Sequence, residues 1–526
     1  MTGVWRLPWR LVRRGAVLLC VSAALYAVVE VVSYEQAYPD DASRAQLAQL
    51  SDSAAVRALQ GVPHAIETTG GFVAWDAGWF LAVVVSIWAV LVTTRLLRAE
   101  EDTGRADLVL SRPIRPVRLL SAQLAVVTGV VLAFGATVAT SLVAQGIPVG
   151  GSLLFGAGLG GVGLTFTGVA ALAAQLLDLR RRAVSVALGV LGLAFVLRMY
   201  ANTSDDRAWL LHLTPLGWLD RLRPFGDDRW IGLLPMLVVP VLLVVLAARE
   251  RTLRDSGAAR LAGREHRAPR LRLLGGPVVF GWRSTSGVLI AWSIGVALFG
   301  VVLGSVVSAV VDLIEGDPGY ASTLEQFGID ISNPAEGFLS VMAITLAMVF
   351  GLYVSWRIGA LRTEEATGRL EHLLVRPVRR TRWLAGSYAL AVVAATVVAL
   401  AGCVGIWLGA RVGGTDLGWW DASLPLLATL PVAVLVAGIG VLAFGGVPRL
   451  TVAVPVTLVV LAYVLELLGT VLSLPDWVLD LSPFRWLPRP PLEPWTAGPS
   501  LALCALGLTA AAAGIALFSR RDLAPD

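Results

Sequence analysis

The 526-residue sequence contains no lysine, because all 42 of its lysine-plus-arginine positions are arginine. A phosphate-binding loop of the GxxxxGK[ST] type is therefore excluded, since its lysine reaches the β- and γ-phosphates of a nucleotide. Charged residues make up 15% of the chain, where a typical soluble protein has about 25%. The three cysteines and four histidines lie far apart, so the sequence indicates neither a disulfide framework nor a metal site.

Apolar runs dominate what remains, with 56% hydrophobic residues and a mean hydropathy of +0.74. Runs of about 18–25 apolar residues are long enough to cross the ~30 Å hydrocarbon core of a bilayer. The sequence predicts an all-α polytopic membrane protein with about twelve transmembrane helices. They fall near residues 15–33, 72–94, 119–144, 151–177, 183–201, 231–248, 285–311, 338–359, 384–410, 422–445, 451–474 and 498–518. These runs contain no paired acid, histidine cluster or nucleophile with a base, so we expect no catalytic residue and no enzyme.

The distribution of arginine predicts the orientation. Arginine is concentrated in the N-terminal segment, in 180–182, in 249–283 and in 520–521, whereas the 312–337 connection contains six acids and no basic residue. Arginine-rich connections stay on the cytoplasmic side of a membrane. We therefore expect a multi-pass protein of the bacterial cytoplasmic membrane with both termini inside. The net charge of +5 reflects this bias, and no nucleic-acid partner is indicated.

One charged segment occurs twice. Residues 97–118, the first island, are repeated at 361–382, the second island, at an offset of 264. The shared residues include Glu100, Glu101, Gly104, Arg105, Arg112, Pro113, Arg115 and Arg118, which recur as Glu364, Glu365, Gly368, Arg369, Arg376, Pro377, Arg379 and Arg382. A polar motif kept in both halves of a membrane protein, on one side of the bilayer, indicates a docking surface that is used twice.

Each island is predicted to form a short, stiff helix, near 96–112 and 360–376. Glu101 and Arg105 stand at i and i+4, as do their counterparts in the second island, with the acid first, which is the favourable orientation on a helix. Gly104 inside such a helix costs about 1 kcal/mol relative to alanine, so we expect another backbone to approach it closely. The Arg-Pro pair then ends each helix.

The repeat extends along the whole chain. The motif LTPLGW at 213–218 is similar to LSPFRW at 481–486, at an offset of 268. The sequence therefore predicts two parallel repeats of six spans. The first is 1–248 and opens with an interfacial N-terminal helix. A basic cytoplasmic linker at 249–280 joins it to the second repeat at 281–526.

The island motif, placed after the second of six spans, resembles the coupling-helix region of ABC-2 type permeases. The duplicated arrangement resembles the polyketide-antibiotic (tetronasin-type) exporter permeases of actinobacteria. This resemblance implies the permease subunit of an ATP-driven exporter (a fused ABC-2 or type V arrangement) for hydrophobic or amphipathic compounds, whether drug, antibiotic or lipid. It also implies that the eight residues Glu100, Glu101, Gly104, Arg105, Glu364, Glu365, Gly368 and Arg369 contact two copies of a separate ATP-binding cassette subunit, which would hold ATP and Mg²⁺.

The first island departs from this pattern. Asp107 and Ser111 of the first island stand where the second has Glu371 and Val375. The two contacts need not be equivalent.

A secondary transporter of the major facilitator type is the main alternative, because it also has six plus six spans and a charged motif between the second and third span of each half. Such transporters usually need ionisable residues within spans to couple protons, and these are scarce here. A membrane scaffold without transport would explain the spans but not two matched islands. A neighbouring gene for a lone ATPase subunit would distinguish these alternatives.

Two of the charges within the predicted spans lie at equivalent positions of the repeat. The 268 offset aligns Arg198 in the fifth span with Glu466 in the eleventh. An ionisable residue inside a span is costly unless it is paired or wetted. One hypothesis is that the two residues pair and close the outer end of the transport path, and the alternative is that each reaches the interface alone, Arg198 by snorkelling.

Overall fold

The computed structural model describes the chain except for residues 1–4, 51–55, 58–59, 103, 112–113, 254–259, 262–275, 317–333, 376–377, 469–474, 489, 491–495 and 524–526. Its regular elements over the described residues are helices. Twelve of these are long and apolar enough to cross a membrane. The prediction of an all-α polytopic membrane protein with about twelve spans is therefore confirmed.

We number these spanning helices α1 to α12 in chain order. In the first half they are α1 (Arg6–Ala37), α2 (Thr69–Asp102), α3 (Pro116–Ala144), α4 (Val149–Leu176), α5 (Arg180–Asn202) and α6 (Leu233–Leu253). In the second half they are α7 (Pro277–Gly316), α8 (Pro334–Ala366), α9 (Arg380–Val412), α10 (Trp419–Gly446), α11 (Ala453–Leu468) and α12 (Ala497–Arg520).

The contacts divide the chain into two compact units, Met1–Arg267 and Ala268–Asp526, and each unit contains six of the spanning helices. The boundary falls inside 249–280, where a basic linker was predicted. Most of that segment lies outside the described residues, and the role of linker stays a prediction.

The N-terminal arginine-rich segment does not form a separate interfacial helix. Helix α1 begins at Arg6 and continues as one helix of 32 residues to Ala37. Pro8 lies in its first turn, where the missing N–H of proline breaks no intrahelical hydrogen bond. Because no other strong helix breaker follows, the arginine-rich segment and the first apolar span join into one element.

The two units pack their helices in the same pairs. In the first, α1 packs on α3, α2 on α4, and α4 on α6; in the second, α7 packs on α9, α8 on α10, and α10 on α12. Helix α4 is the most enclosed of the spans, with 78% of its apolar window buried. In the first unit, the fourth helix is therefore the central element around which the others are arranged.

Helices α10 and α12 approach each other closely at two pairs of glycines. A Cβ atom added to Gly438 would lie 2.0 Å from the carbonyl oxygen of Gly507, and one added to Gly445 would lie 2.1 Å from that of Gly514. Small residues at such crossings let helix backbones meet and gain van der Waals contact, which drives helix association in lipid.

The repeated motif between the fifth and sixth helix of each unit makes the same hydrogen bonds twice. The Thr214 hydroxyl donates to the carbonyl oxygen of Ala194 at 3.0 Å, and the Ser482 hydroxyl donates to that of Ala462 at 3.1 Å. The tryptophan that ends each motif donates its indole N–H to the carbonyl oxygen six residues earlier, at 2.6 Å and 2.9 Å. The sequence repeat therefore corresponds to a repeat of local structure.

Gly438→Ala should destabilise the protein by about 1–3 kcal/mol, because the added methyl group overpacks the α10–α12 crossing. Gly129 in α3 is a matched control, since a Cβ atom added to it would have no described atom within 4 Å. Gly129→Ala should be neutral or stabilising by up to about 1 kcal/mol through helix propensity. Thermal unfolding of the purified chain in detergent measures both, and equal effects of the two substitutions would contradict the close approach.

Candidate functional site

Each island begins where the second helix of its unit ends. In the first, α2 ends at Asp102, and a short helix follows over Arg105–Leu110. In the second, α8 ends at Ala366, and the short helix spans Arg369–Leu374. The chain of each island then returns to the third helix of its unit. The Arg-Pro pairs that were predicted to end these helices lie outside the described residues.

The glycine of each island separates two helices and does not lie inside one, contrary to the prediction of a continuous helix. Gly104 has φ +71° and Gly368 has φ +72°, the left-handed region that favours glycine. Their N–H groups donate to the carbonyl oxygens of Glu101 at 2.9 Å and Glu365 at 3.0 Å, as in a helix C-terminal cap.

The predicted close approach of another backbone is also wrong for the described residues. No described atom lies within 4 Å of a Cβ placed on Gly104 or Gly368. The requirement for glycine comes from the positive φ, which turns the chain out of the long helix.

The second acid of the first island is buried between two arginines. The Glu101 side chain is 5% exposed, and its Oε2 lies 3.0 Å from Nη1 of Arg98. Its other oxygen, Oε1, forms an ion pair with Arg251 near the end of α6. Arg98 also donates from Nε to the carbonyl oxygen of Asp178 at 2.9 Å, in the connection between α4 and α5.

The second acid of the second island has the same environment. The Glu365 side chain is 1% exposed, and both of its oxygens accept hydrogen bonds from Arg521, at 2.7 Å and 2.9 Å. Arg362 Nη1 lies 3.6 Å from Oε2 of Glu365. The Arg521 guanidinium also stacks on the rings of Phe444 and Phe518, with 5.3 Å to each centroid.

These two clusters are equivalent in the repeat, and we call each of them a clasp. The first clasp is Arg98, Glu101 and Arg251, and the second is Arg362, Glu365 and Arg521. In both, an arginine three residues before the glutamate and an arginine at the end of the sixth helix hold one carboxylate. Each clasp therefore ties an island to the last helix of its own unit.

The clasps replace the ion pairs that were expected within the islands. The i, i+4 spacing predicted that Glu101 pairs with Arg105, but the structure places Glu101 against Arg98 and Arg251. Arg105 instead lies 3.9 Å from Glu100 and is 67% exposed. Arg251, near the end of α6, pairs with Glu101 in place of Arg105. The Glu101 carboxylate is buried, and charge pairing is stronger in a buried site than at the surface.

The other island residues differ in accessibility. Arg105, Gly104 and Arg369 are exposed, whereas the side chain of Glu100 is 17% exposed and Glu364 is half-buried. Of the eight residues predicted to contact an ATPase subunit, Glu101 and Glu365 are thus internal. The contact itself stays a prediction for all eight.

The sequence analysis missed Arg251 and Arg521, which complete the clasps. A signal was present, because both arginines follow the last apolar run of a half, at an offset of 270 that is close to the offset of the islands. They were interpreted only as positive charge at the cytoplasmic side of a span. Their distance of 150 residues or more from the glutamates hid the pairing.

Arg198 is buried in the first unit with an acid from the same unit. It is 1% exposed, and Asp220 accepts hydrogen bonds from its Nε and Nη2 at 2.7 Å and 2.9 Å. Its Nη2 also donates to the carbonyl oxygen of Gln60 at 2.8 Å. Glu466 lies in α11 and is half-buried. Because Asp220 already balances its charge, burial of Arg198 does not require Glu466, and the pairing of these two residues stays a prediction.

Comparison with known proteins places the chain in a family. The model of the family described as "Multidrug efflux system permease Rv1217c, C-terminal domain" matches residues 1–250 and 274–519, one segment in each half of the repeat. The chain belongs to this family of multidrug efflux permeases. The protein named multidrug efflux system permease protein Rv1217c, from Mycobacterium tuberculosis (strain ATCC 25618 / H37Rv), is 34% identical over 508 residues, which cover 94% of this chain and 90% of that protein.

Membership in the Rv1217c permease family agrees with the twelve membrane helices and with the expectation of a transporter component. It places the chain among multi-pass membrane permeases and not among enzymes. The alternative of a major facilitator transporter is not favoured by this match. The more specific resemblance to ABC-2 and tetronasin-type exporters concerns the mechanism of transport, and it stays a prediction.

Glu365→Gln should destabilise the second unit by about 3–5 kcal/mol, because it leaves Arg521 without its carboxylate in a largely buried site. The double variant Glu365→Gln with Arg521→Gln should recover part of this loss, since no buried charge is orphaned. Glu100→Gln is the control and should cost less than about 1 kcal/mol, as expected for a poorly aligned pair with an exposed arginine. Thermal unfolding in detergent measures all three, and a Glu365→Gln variant as stable as Glu100→Gln would refute the clasp.

Arg198→Met should destabilise the first unit, because it leaves Asp220 without its main cation. Adding Asp220→Asn should restore stability if Asp220 is the functional partner, whereas adding Glu466→Gln should not. Unfolding temperatures of the single and the two double variants decide between the partners. If adding Glu466→Gln restored the stability of Arg198→Met and adding Asp220→Asn did not, the result would instead support a pair between the two halves.

Proposed function

We propose that this chain is the membrane-spanning permease of an ATP-driven exporter of hydrophobic or amphipathic compounds. On this proposal, two copies of a separate ATP-binding cassette subunit dock on the two islands, and ATP with Mg²⁺ is bound and hydrolysed there. The relative from Mycobacterium tuberculosis is named a multidrug efflux permease, which supports a drug-like cargo. The absence of lysine supports hydrolysis on another chain, since a phosphate-binding loop needs one.

The observation that carries this proposal is the duplication of the clasp. A single buried ion pair is weak evidence for anything beyond folding, since buried ion pairs are often no more stabilising than apolar groups. Here the same carboxylate, at the same place in two units, meets an arginine from the same end of the sixth helix. An arrangement kept in both units despite its desolvation cost is explained if both islands must be held in one orientation for the same kind of partner.

The exposed parts of the islands supply the proposed docking surface. Arg105 and Arg369 project from the start of the two short helices, next to the glycine turns. Leu108 is 74% exposed and Val375 is 87% exposed, so each island also carries an apolar side chain that is uncovered within its own unit. A partner with acidic groups around an apolar cleft fits such a surface, because arginine and a central apolar anchor are typical of protein interfaces.

The clasps give a physical route from the proposed docking surface to the membrane helices. A displacement of an island is transmitted to the end of α2 or α8, since the N–H of the island glycine is hydrogen-bonded to the carbonyl oxygen of the clasp glutamate three residues earlier. The buried ion pair then couples that end to α6 or to the residue after α12. On this proposal, ATP-driven motion of the partners moves the second and sixth helices of each unit together.

The membrane context completes the proposal. The arginine-rich connections and both termini lie in the cytoplasm under the positive-inside rule, which puts the islands on the side where ATP is present. The cargo leaves from the bilayer or cytoplasm toward the outside of a bacterial cytoplasmic membrane. The apolar spans suit a hydrophobic substrate, and no nucleic acid takes part.

Arg105→Glu together with Arg369→Glu should reduce the ATPase subunits recovered with the tagged chain to below about a tenth, because both arginines would meet partner acids with like charge, which costs several kcal/mol. Each single reversal should leave one ATPase copy per chain. The measurement is native mass spectrometry of complexes purified from the original host, with drug-stimulated ATP turnover as a second readout.

Arg520→Glu is the matched control, since Arg520 is an exposed arginine at the end of α12 and lies outside both islands. It should leave two ATPase copies bound. Retention of both copies by the double island reversal would overturn the proposed docking site, and the absence of any ATPase from the wild-type complex would overturn the proposed energy source.

A further inference from the structure

The first unit contains two adjoining cavities at the end opposite the first island. One, of about 150 Å³, lies between the connection that follows α1 and the connection between α5 and α6. The other, of about 40 Å³, opens against the start of α2. They share four lining residues and therefore lie side by side: Val62, His64, Asp220 and Arg223.

The larger cavity is lined by four arginines, namely Arg57, Arg221, Arg223 and Arg229. The two acids in its lining already have cations. Asp205 lies 2.5 Å from Arg57, and Asp220 is bound by the buried Arg198. Outside the lining, one carboxylate, that of Asp227, is shared by Arg223 at 3.1 Å and Arg229 at 2.8 Å.

These contacts leave the cavity with an excess of positive charge. Five arginines face three carboxylates in this network, and the structure places Arg221 beside the ring of His212. Burial, followed by the nearby Arg229 and Arg223, lowers the pKa of Arg221. Burial, and then Arg223, also holds the pKa of His64 below its usual value, which keeps this imidazole neutral near pH 7. The contributions of Arg223 and Arg229 to these shifts indicate a positive potential that favours a negative charge, whereas burial disfavours a charge of either sign.

The polar atoms left without a partner in the lining are donors. Nε of Arg57 and Nε1 of Trp79 are buried and have no acceptor among the described residues. Arg57 lines the larger cavity and Trp79 lines the smaller one, together with Trp75 and Phe155. A buried donor without an acceptor costs about 1–3 kcal/mol, so a ligand that supplies oxygen acceptors to the larger cavity would satisfy Nε of Arg57.

The cavities differ in the side chains that line them. The larger one offers guanidinium groups, which bind carboxylate and phosphate oxygens in pairs. The smaller one adds the aromatic rings of Trp75, Trp79 and Phe155 to the polar side chains that it shares with the larger one. A cavity of about 150 Å³ also exceeds by roughly tenfold what one water molecule needs.

We propose that this pair of cavities is a binding site for the anionic head group of an amphipathic molecule, with the carboxylate or phosphate held by Arg57, Arg221 and Arg223 and the first part of its chain against Trp75 and Trp79. The head group can belong to a membrane lipid or to an exported compound. The site does not depend on the proposed ATPase partners, because every residue in it belongs to the first unit.

Photo-labelling of the full chain tests the site without any transport assay. The chain is placed in nanodiscs of phosphatidylcholine with a diazirine-bearing dodecanoate at subsaturating concentration, and labelled peptides are mapped by mass spectrometry. Labelling of peptides that contain Trp75 and Trp79 should exceed that by the matching dodecanol probe by about tenfold or more, as expected for loss of a charge-assisted hydrogen bond. Dodecyl phosphate should compete with the carboxylate, and salt should weaken labelling.

Arg221→Gln with Arg223→Gln should lower dodecanoate labelling at these peptides by about tenfold or more. The matched control is Arg207→Gln, since Arg207 is exposed in the same connection, stacks on Tyr200 and lines neither cavity. Gel filtration and thermal unfolding establish that each variant is folded. Adding phosphatidylglycerol to the nanodiscs identifies a lipid head group if labelling falls, and a non-lipid amphiphile if labelling persists. Equal labelling by dodecanol and dodecanoate, or equal labelling of the double variant and Arg207→Gln, would overturn the proposal.

Discussion

A glutamate carboxylate is buried at the end of the second helix of each unit, and it requires a positively charged side chain fixed beside it. Burial removes the water that would otherwise solvate the charge, and an unpaired charge there costs several kcal/mol. Arg251 meets this requirement for Glu101, and Arg521 meets it for Glu365 with two hydrogen bonds. Because each arginine lies at the end of the sixth helix, the electrostatic requirement fixes where the island stands relative to that helix.

The rest of each unit is consistent with this constraint. The fourth helix packs against both the second and the sixth, so the two helices joined by the clasp also share a common neighbour. At the other end, a hydroxyl from the repeated motif before the sixth helix is bonded to the fifth helix in both units. Interactions that occur twice in the chain therefore hold the last residues of the sixth helix to the island and the connection before that helix to the fifth helix.

Much of the architecture could be predicted from the sequence, because it depends on local patterns. The lengths of the apolar runs predict the twelve spans. The sequence similarity at offsets of 264–268 residues predicts the repeat and the islands. The prediction failed where distance along the chain matters. The i, i+4 spacing predicted Arg105 as the ion-pair partner of Glu101, whereas the partner in the structure is Arg251, which lies 150 residues further along the chain. The ion pair of Arg198 with Asp220, which lies 22 residues further along the chain, was likewise not predicted. The glycine was correctly recognised as significant, but its reason is the positive φ of Gly104 and Gly368.

We propose above all that the clasps couple docked ATPase subunits to the membrane helices. The most direct test is the drug-stimulated ATP turnover of a complex that carries Glu365→Gln with Arg521→Gln. Removing Glu365 and Arg521 together takes one charge of each sign out of the second clasp, so the unit should fold. The account predicts that this complex still contains two ATPase copies but that drug stimulation of ATP hydrolysis falls to below about a tenth, a loss equivalent to about 1.4 kcal/mol or more. Full stimulation in a complex without the second clasp would contradict it.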